Sequence, residues 1–126
     1  MGLEGRVMLQ MGDMRRLPFV DESFDMVASS AAMEYLPDVE EGICECGRIL
    51  RPGGRILIIS TRDTFMGKVI AALWRNKTLE PIYVKECMRR VGIEHIETLR
   101  FPWYFPHVNW WGMALLGKKA HGLNDL

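Results

Sequence analysis

The order of apolar and polar positions along the chain predicts strands that alternate with helices. Short apolar runs predict strands over 6–11 and 24–30, and the second run ends in small residues. Residues 55–60 hold four consecutive large aliphatic side chains without alternation, which is typical of a strand buried on both faces. Two more strands are predicted at about 94–101 and 110–116, and their short connection indicates an antiparallel hairpin.

The first predicted helix follows Pro37. Asp38 is in position to cap it, Glu41 stands three residues further on as in a capping box, and Pro52-Gly53-Gly54 is expected to end it. Its apolar stripe is predicted to be Val39, Ile43, Cys46 and Leu50.

Two further helices are predicted before the hairpin. One runs from Phe65 to about Arg75, and the other runs from Pro81 to Val91 with Gly92 as its C-terminal cap. Their inward-facing residues are predicted to be Met66, Val69, Ile70 and Leu73 in the first, and Val84, Cys87, Met88 and Val91 in the second. Strands that alternate with helices and end in a hairpin indicate an α/β fold with a mostly parallel sheet.

The composition fits one small folded domain spanning residues 1–126. The chain is 48% hydrophobic, and its 16 basic residues balance its 16 acidic ones. Zero net charge argues against a surface built for nucleic acid or for an anionic membrane. No apolar run approaches the roughly 20 residues of a transmembrane helix, and residues 1–5 do not resemble a signal peptide, so a cytoplasmic location is expected. Cys44, Cys46 and Cys87 are expected to be buried or half-buried thiols.

Four segments in order resemble consecutive motifs of the class I S-adenosylmethionine-dependent methyltransferases. They are residues 12–19 (Gly-Asp-Met-Arg-Arg-Leu-Pro-Phe), 21–27 (Asp-Glu-Ser-Phe-Asp-Met-Val), 34–38 (Glu-Tyr-Leu-Pro-Asp) and 50–55 (Leu-Arg-Pro-Gly-Gly-Arg). The resemblance is continuous over 6–60 and is nearest to the small-molecule branch (type 11) that includes the quinone-biosynthesis C-methyltransferases. It implies a Rossmann-like sheet, mostly parallel with a C-terminal antiparallel hairpin.

The resemblance also implies a site for S-adenosylmethionine. In that family the acidic residue after the third strand accepts from the adenine amino group and the next amide donates to the ring, which implies Asp13 and Met14 here. A carboxylate acceptor beside an amide donor matches the edge of adenine. Ser30 matches the position that borders the methionine and sulfonium part, at the strand end where ligands of open α/β sheets bind. From the residues alone, the alternatives are that Asp13 is a turn residue and that Ser30 is a small residue at a crowded strand end.

The acceptor side of such a site is less well defined. Glu34 and Tyr35 stand where many relatives have two histidines, a stretch that borders the methyl-acceptor pocket in the family. Glu34 is either a general base or, as the preferred interpretation, a solvated carboxylate at a helix end. Methyl transfer from a sulfonium depends largely on proximity and orientation, so no catalytic residue is predicted. The histidines at 95, 107 and 121 lack spaced partners and are expected at the surface, and no metal site is predicted.

The chain departs from the family before Asp13. The family begins with a strand that carries a Gly-rich turn and a second strand that ends in the ribose-binding acid, and residues 1–12 show neither. The first two strands of the family sheet are therefore missing, so residues 1–126 correspond to the C-terminal part of a methyltransferase domain and strand 24–30 has an open edge. Three interpretations remain: a truncated gene or C-terminal fragment, a short protein that pairs with itself or a partner chain, or a monomer that binds the cofactor unaided.

A cluster of aromatic residues lies around the hairpin link, at Phe101, Trp103, Tyr104, Phe105, Trp110 and Trp111. These side chains can wall an apolar acceptor pocket, meet a partner or membrane surface, or pack the hairpin against a helix. The sequence as a whole predicts S-adenosylmethionine-dependent methyl transfer to a small acceptor that can be apolar. The alternative is a noncatalytic methyltransferase-like module that binds a protein partner.

Overall fold

The computed structural model describes residues 5–61, 65–73, 78–104 and 107–121, with the backbone alone at Trp110 and Trp111. The strands are β1 (Phe24–Ser30), β2 (Leu50–Thr61), β3 (Ile93–Leu99) and β4 (Gly112–Lys119). The helices are α1 (Val39–Ile49), α2 (Phe65–Leu73), α3 (Pro81–Arg90) and α4 (Val108–Trp111), and a 3₁₀ turn covers Met33–Tyr35.

The described strands form one mixed sheet in the order β1-β2-β4-β3. β1 runs parallel to β2, while β4 is antiparallel to both β2 and β3. The predicted α/β fold and its C-terminal antiparallel hairpin are confirmed, and in place of a mostly parallel sheet the described strands make one parallel pairing and two antiparallel ones. The hairpin strands are displaced from their predicted bounds, and Trp110 belongs to α4 rather than to a strand.

The core lies between one face of the sheet and the helices α1 and α3. Ile56 and Ile58 of β2 point into it and are fully buried. The predicted stripes of both helices are confirmed, because their residues are buried except for the half-buried Val91. On the opposite face of β2, Leu57 and Ile59 are only partly covered, so the prediction of a strand buried on both faces is wrong for the second face.

Residues 6–11 do not form the predicted strand. Val7, Met8, Leu9 and Met11 are all exposed, and in the described part of the chain no strand pairs with this segment. An apolar alternating run becomes a strand only when a neighbour satisfies its amides and carbonyls. The strand is absent because the segment has no such neighbour.

The first helix ends earlier than its turn residues suggested. Asp38 caps α1 by accepting from the Glu40 amide at 2.9 Å, rather than from Glu41. Leu50 is already extended and pairs with Phe24 of β1, because strand pairing takes over at that residue. Pro52-Gly53-Gly54 therefore does not end the helix. It forms a bulge within β2, because Phe24 of β1 pairs with Leu50 whereas Met26 pairs with Arg55. Gly53 adopts a φ of 81° there, and the His121 ring lies so close that a Cβ atom at this position would overlap it.

Helix α2 buries the face opposite to the one predicted. Gly67 and Ala71 are buried, whereas Met66, Val69 and Leu73 of the predicted inward stripe are exposed and Ile70 is half-buried. The buried side of the helix therefore holds small residues, and most of its large apolar side chains face solvent. The predicted end of this helix, at about Arg75, lies outside the described residues.

Lys119 at the end of β4 joins the last strand to the first helix. Its Nζ donates to the carbonyl oxygens of Gly47 at 2.8 Å and Leu50 at 2.7 Å. These carbonyls belong to the C-terminal turn of α1, which has no intrahelical donors for them. The ammonium group therefore caps the helix from the far end of the chain.

Gly117 provides a test of the packing between β4, α3 and β3. A methyl group there would overlap the Ile93 side chain and lie 3.0 Å from Met88 Cε. We expect Gly117→Ala to lower the free energy of unfolding by about 1–3 kcal/mol in denaturant titrations of the 126-residue chain. Gly5→Ala is the matched control, since no atom lies within 4 Å of its added methyl. Equal stability of the two variants would contradict this packing.

Candidate functional site

The parallel pairing of β1 and β2 brings their carboxyl ends to one edge of the sheet, where open α/β sheets bind ligands. A pocket of about 420 Å³ lies along β1, under the loop that precedes this strand. Its volume is within the range of small-molecule sites. The pocket is lined by Met14, Leu17, Phe19, Phe24, Met26, Val27, Ala28, Ser29, Ser30, Ala32, Cys46 and Ile49. Two of the three predicted site residues, Met14 and Ser30, thus line the same pocket. Asp13 precedes Met14 in the chain but is not among the lining residues.

The loop over this pocket is held by an ion pair on α1. Arg48 donates to the carbonyl oxygens of Phe19 at 2.7 Å and Leu17 at 3.0 Å, and to the Asp21 carboxylate at 2.8 Å. Glu45 accepts from Arg48 at 2.8 Å and from the Leu17 amide at 2.7 Å. The hydrogen bond from Arg48 is the main cause that lowers the pKa of Glu45. An otherwise irregular loop therefore has a fixed position over the pocket.

Asp13 lies in a turn closed by the Arg16 amide, which donates to the Asp13 carbonyl at 2.9 Å. Its carboxylate accepts from the Arg15 amide at 2.9 Å and from Arg15 Nη2 at 2.9 Å. The Arg15 side-chain hydrogen bond is the first cause that lowers the pKa of Asp13 to about 2. The half-exposed carboxylate is thus ionised at neutral pH, and an incoming donor would compete with Arg15 for its oxygens.

Met14 combines an apolar contact with a free amide. Its side chain is half-buried against the core cluster and lines the pocket. Among the described residues its backbone N–H finds no hydrogen-bond partner. An amide in this condition is available to a ligand, since a bound acceptor satisfies it.

Ser30 is exposed at the end of β1, whereas its neighbour Ser29 points into the core side of the pocket. The Ala31 amide donates to Ile59 of β2, so alternation along the strand turns the amides of Ala28 and Ser30 toward the open edge. The pocket at this end of β1 therefore contains both a serine hydroxyl and unpaired backbone donors.

Three buried polar side chains near this edge have no hydrogen-bond partner in the described part of the chain. They are Ser29 Oγ, Ser60 Oγ and Glu34 Oε1. Glu34 is only 3% exposed, so the preferred interpretation of a solvated carboxylate is wrong. The cause is the 3₁₀ turn after β1, which also buries the neighbouring Met33. Ser29 pairs with Ile58 of β2, and this register, which the sequence alone does not give, places its side chain on the core face.

The described residues were also compared with what a metal site or a membrane-spanning helix requires. They contain no group of three histidine, cysteine or acidic side chains placed to hold a metal ion. His95, His107 and His121 are all exposed, as expected. The described helices include none with the length and apolar character needed to cross a bilayer.

Comparison with known proteins identifies the family. Residues 2–58 match the methyltransferase domain family. A Streptomyces halstedii protein named methyltransferase GfsG is 42% identical over 57 residues, which is 45% of this chain and 20% of that protein. A rice (Oryza sativa subsp. japonica) protein named 2-methyl-6-phytyl-1,4-hydroquinone methyltransferase 2 is 32% identical over 121 residues, which is 93% of this chain and 31% of that protein.

The fold agrees with these matches. The crystal structure of a SAM-dependent methyltransferase from Thermotoga maritima superposes with a TM-score of 0.67 at 21% identity, over 90% of this chain and 64% of that one. Residues 2–58 therefore belong to the methyltransferase domain family, and the chain has the Rossmann-like α/β fold of class I S-adenosylmethionine-dependent methyltransferases. It spans about a third or less of the length of the curated relatives named above.

The buried Glu34 carboxylate generates a prediction about stability. A buried acceptor without a donor costs free energy, and replacing it with an apolar side chain removes that cost. We expect Glu34→Leu to raise the free energy of unfolding by about 1–3 kcal/mol, measured by denaturant titration at neutral pH. Glu45→Leu is the matched control and should lower stability, because Glu45 bonds Arg48 and the Leu17 amide. A loss of stability in Glu34→Leu would show that this carboxylate has a stabilising partner.

Proposed function

We propose that residues 1–126 form the C-terminal part of a methyltransferase domain and take part in methyl transfer from S-adenosylmethionine to a small, apolar acceptor. The observation that carries the proposal is the pocket beside β1, which brings Met14 and Ser30 together at the carboxyl edge of a methyltransferase sheet. S-adenosylmethionine would supply an activated methyl group, so the protein's task is to bind and orient two reactants.

On the cofactor side, Asp13, Met14 and Ser30 are the proposed contacts. The unpaired Met14 amide is suited to donate to the adenine ring, and the Asp13 carboxylate to accept from the adenine amino group. Arg15 holds that carboxylate in position and keeps it ionised. Ser30 lies at the strand end, where the methionine part would bind.

On the acceptor side, the proposed residue is Glu34. When the acceptor forms its bond to the methyl group and the methyl–sulfur bond breaks, the acceptor must lose a proton. A buried carboxylate with an unpaired oxygen is able to accept that proton or to hold the acceptor's hydroxyl. The rice relative is named for a hydroquinone with a phytyl chain, which supports a phenolic acceptor with an apolar tail.

A second candidate function rests on the open edge of β1. In the described sheet this strand pairs with β2 alone, and the apolar pocket runs beside its free edge. Such an edge accepts a further strand, from a partner chain or from a second copy of this one. This candidate needs no catalysis and corresponds to a methyltransferase-like binding module.

Calorimetric titration of the 126-residue chain with S-adenosylmethionine tests the first candidate. We expect micromolar binding that Asp13→Ala weakens at least about tenfold, because one of the two adenine contacts is lost. Asp25→Ala is the matched control: this carboxylate is also exposed and paired with an arginine, at 2.9 Å, but it is not one of the proposed cofactor contacts. The absence of heat up to about 1 mM on a folded sample would contradict a site formed by this chain.

Sedimentation velocity of the wild-type chain and of a proline variant in β1 tests the second candidate. Proline at Ala28 removes an amide that faces the open edge and obstructs pairing there. If the edge recruits a second copy, the wild-type chain should dimerise as its concentration rises, and Ala28→Pro should remain monomeric. A monomeric wild-type chain would contradict self-pairing, and a dimer that Ala28→Pro leaves intact would locate the contact elsewhere.

A further inference from the structure

Residues 6–11 carry an unusual amount of apolar surface for a segment outside the core. Leu9 is 93% exposed and Met11 is 97% exposed, and Val7 and Met8 are exposed as well. In the described part of the chain this segment belongs to no helix or strand. Single apolar side chains at a surface are common, whereas a contiguous apolar run marks a contact surface.

The side chains of this segment alternate in character. An extended backbone sends successive side chains to opposite faces, so the odd-numbered and the even-numbered residues form two faces. The odd-numbered face consists of Val7, Leu9 and Met11 and is entirely apolar. The even-numbered face combines Met8 with a basic and an amide side chain. Residues 6–11 therefore have the pattern of a strand with one buried face, without the neighbour that would complete it.

The open edge of β1 has the complementary property. This strand of seven residues pairs with β2 alone among the described strands. Alternation along it turns the backbone groups of Met26, Ala28 and Ser30 away from β2. The pocket of about 420 Å³ lies beside this edge, between apolar side chains of the preceding loop and of α1. The edge thus offers main-chain hydrogen bonds to an added strand, and the pocket offers apolar contact to its alternate side chains.

We propose that residues 6–11 of one copy of this chain add as a strand to the open edge of β1 in a second copy, and that the exchange is reciprocal. The lengths match, since six residues meet a strand of seven. Val7, Leu9 and Met11 then enter the pocket of the other copy, while the backbone groups of the segment bond the edge. Reciprocal exchange doubles the contact, because each copy donates one segment and accepts another. This inference rests on the second candidate function and adds to it the identity of the pairing strand.

A second copy fits the edge better than the segment of the same copy does. Residues 6–11 enter the loop through Gly12, where an added Cβ would lie only 3.1 Å from Pro18 Cδ. From this packed position they extend into solvent and do not pair with β1. Every copy of the described chain therefore carries one unpaired segment and one unfilled edge, in equal number. Two copies also meet without net repulsion, because the charges of the chain sum to zero.

Strand exchange and cofactor binding would use the same pocket. Met14 and Ser30, two of the proposed cofactor contacts, line the pocket that the apolar face of the segment enters. Self-association would therefore exclude S-adenosylmethionine, and the concentration of the chain would regulate access to its own site. This consequence rests on the proposed methyl transfer as well, whereas the exchange itself needs no cofactor. A dimer that persists while calorimetry shows the cofactor bound would contradict the shared pocket.

Sedimentation velocity of two neighbouring variants tests which face of the segment is buried. Leu9→Ser should lower the dimerisation constant at least about tenfold, because a leucine side chain is lost from each pocket. The matched control is Met8→Ser, which removes an 83% exposed side chain from the other face of the same segment. It should dimerise within about twofold of the wild type. Both side chains are exposed in a single copy, so both variants should keep the fold, which circular dichroism checks.

Hydrogen exchange at low and at high protein concentration identifies the strands that pair. We expect exchange to slow in residues 6–11 and 24–30 together as the dimer forms, because their amides become hydrogen-bonded to each other. Protection of 6–11 that does not depend on concentration would overturn the proposal, since the segment would then pair within its own copy.

Three further outcomes would also overturn the proposal. One is a wild-type chain that stays monomeric up to about 1 mM. Another is equal dimerisation of Leu9→Ser and Met8→Ser. The third is protection of 24–30 without protection of 6–11, which would mean that two β1 edges pair with each other. In that case the second candidate function would stand and only the assignment of the pairing segment would be wrong.

Discussion

The structure depends on β2, because both β1 and β4 pair with it and the main core packs against one of its faces. Its inward side chains Ile56 and Ile58 are fully buried beneath α1 and α3. One edge pairs with β1 in the parallel sense and the other pairs with β4 in the antiparallel sense. The parallel pairing has the larger consequence for function, since it alone brings two strand carboxyl ends to the same edge. The pocket lies along β1 of this pair, and its other walls are the loop before β1 and helix α1.

The candidate site is therefore a combination of a rigid edge and a fixed loop. The loop has almost no regular structure, yet Arg48 and Glu45 on α1 bond its backbone at Leu17 and Phe19. The same helix contributes Cys46 and Ile49 to the pocket wall. One element thus supports the core, the loop and the site. These contacts hold the loop after Met14, and the Asp13–Arg15 ion pair joins the residues on either side of it, so the Met14 amide is kept in place.

Much of the fold could be predicted from the sequence, and the exceptions have physical causes. α1 and α3 were predictable because their apolar periodicity coincides with the face they bury. β1 was predicted from its apolar run, although its buried residue is Ser29. The predicted strand over 6–11 failed because an apolar run does not supply a neighbour to pair with. The face of α2 was predicted wrongly because the prediction placed its large apolar residues inward, whereas the buried residues are Gly67 and Ala71. Among site residues, Asp13, Met14 and Ser30 came from motif resemblance, while the burial of Glu34 and Ser29 depends on a 3₁₀ turn and a strand register that no local pattern encodes.

The order of strands has a consequence for how the chain acquires its structure during synthesis. β4 is the last of the described strands, yet it lies inside the sheet between β2 and β3, and Lys119 at its end caps α1. During synthesis β2 and β3 would leave the ribosome before the strand that lies between them, so the centre of the sheet closes only after β4 has emerged. Until then the free edge of β2 and the exposed end of α1 would be accessible to chaperones and to other nascent chains.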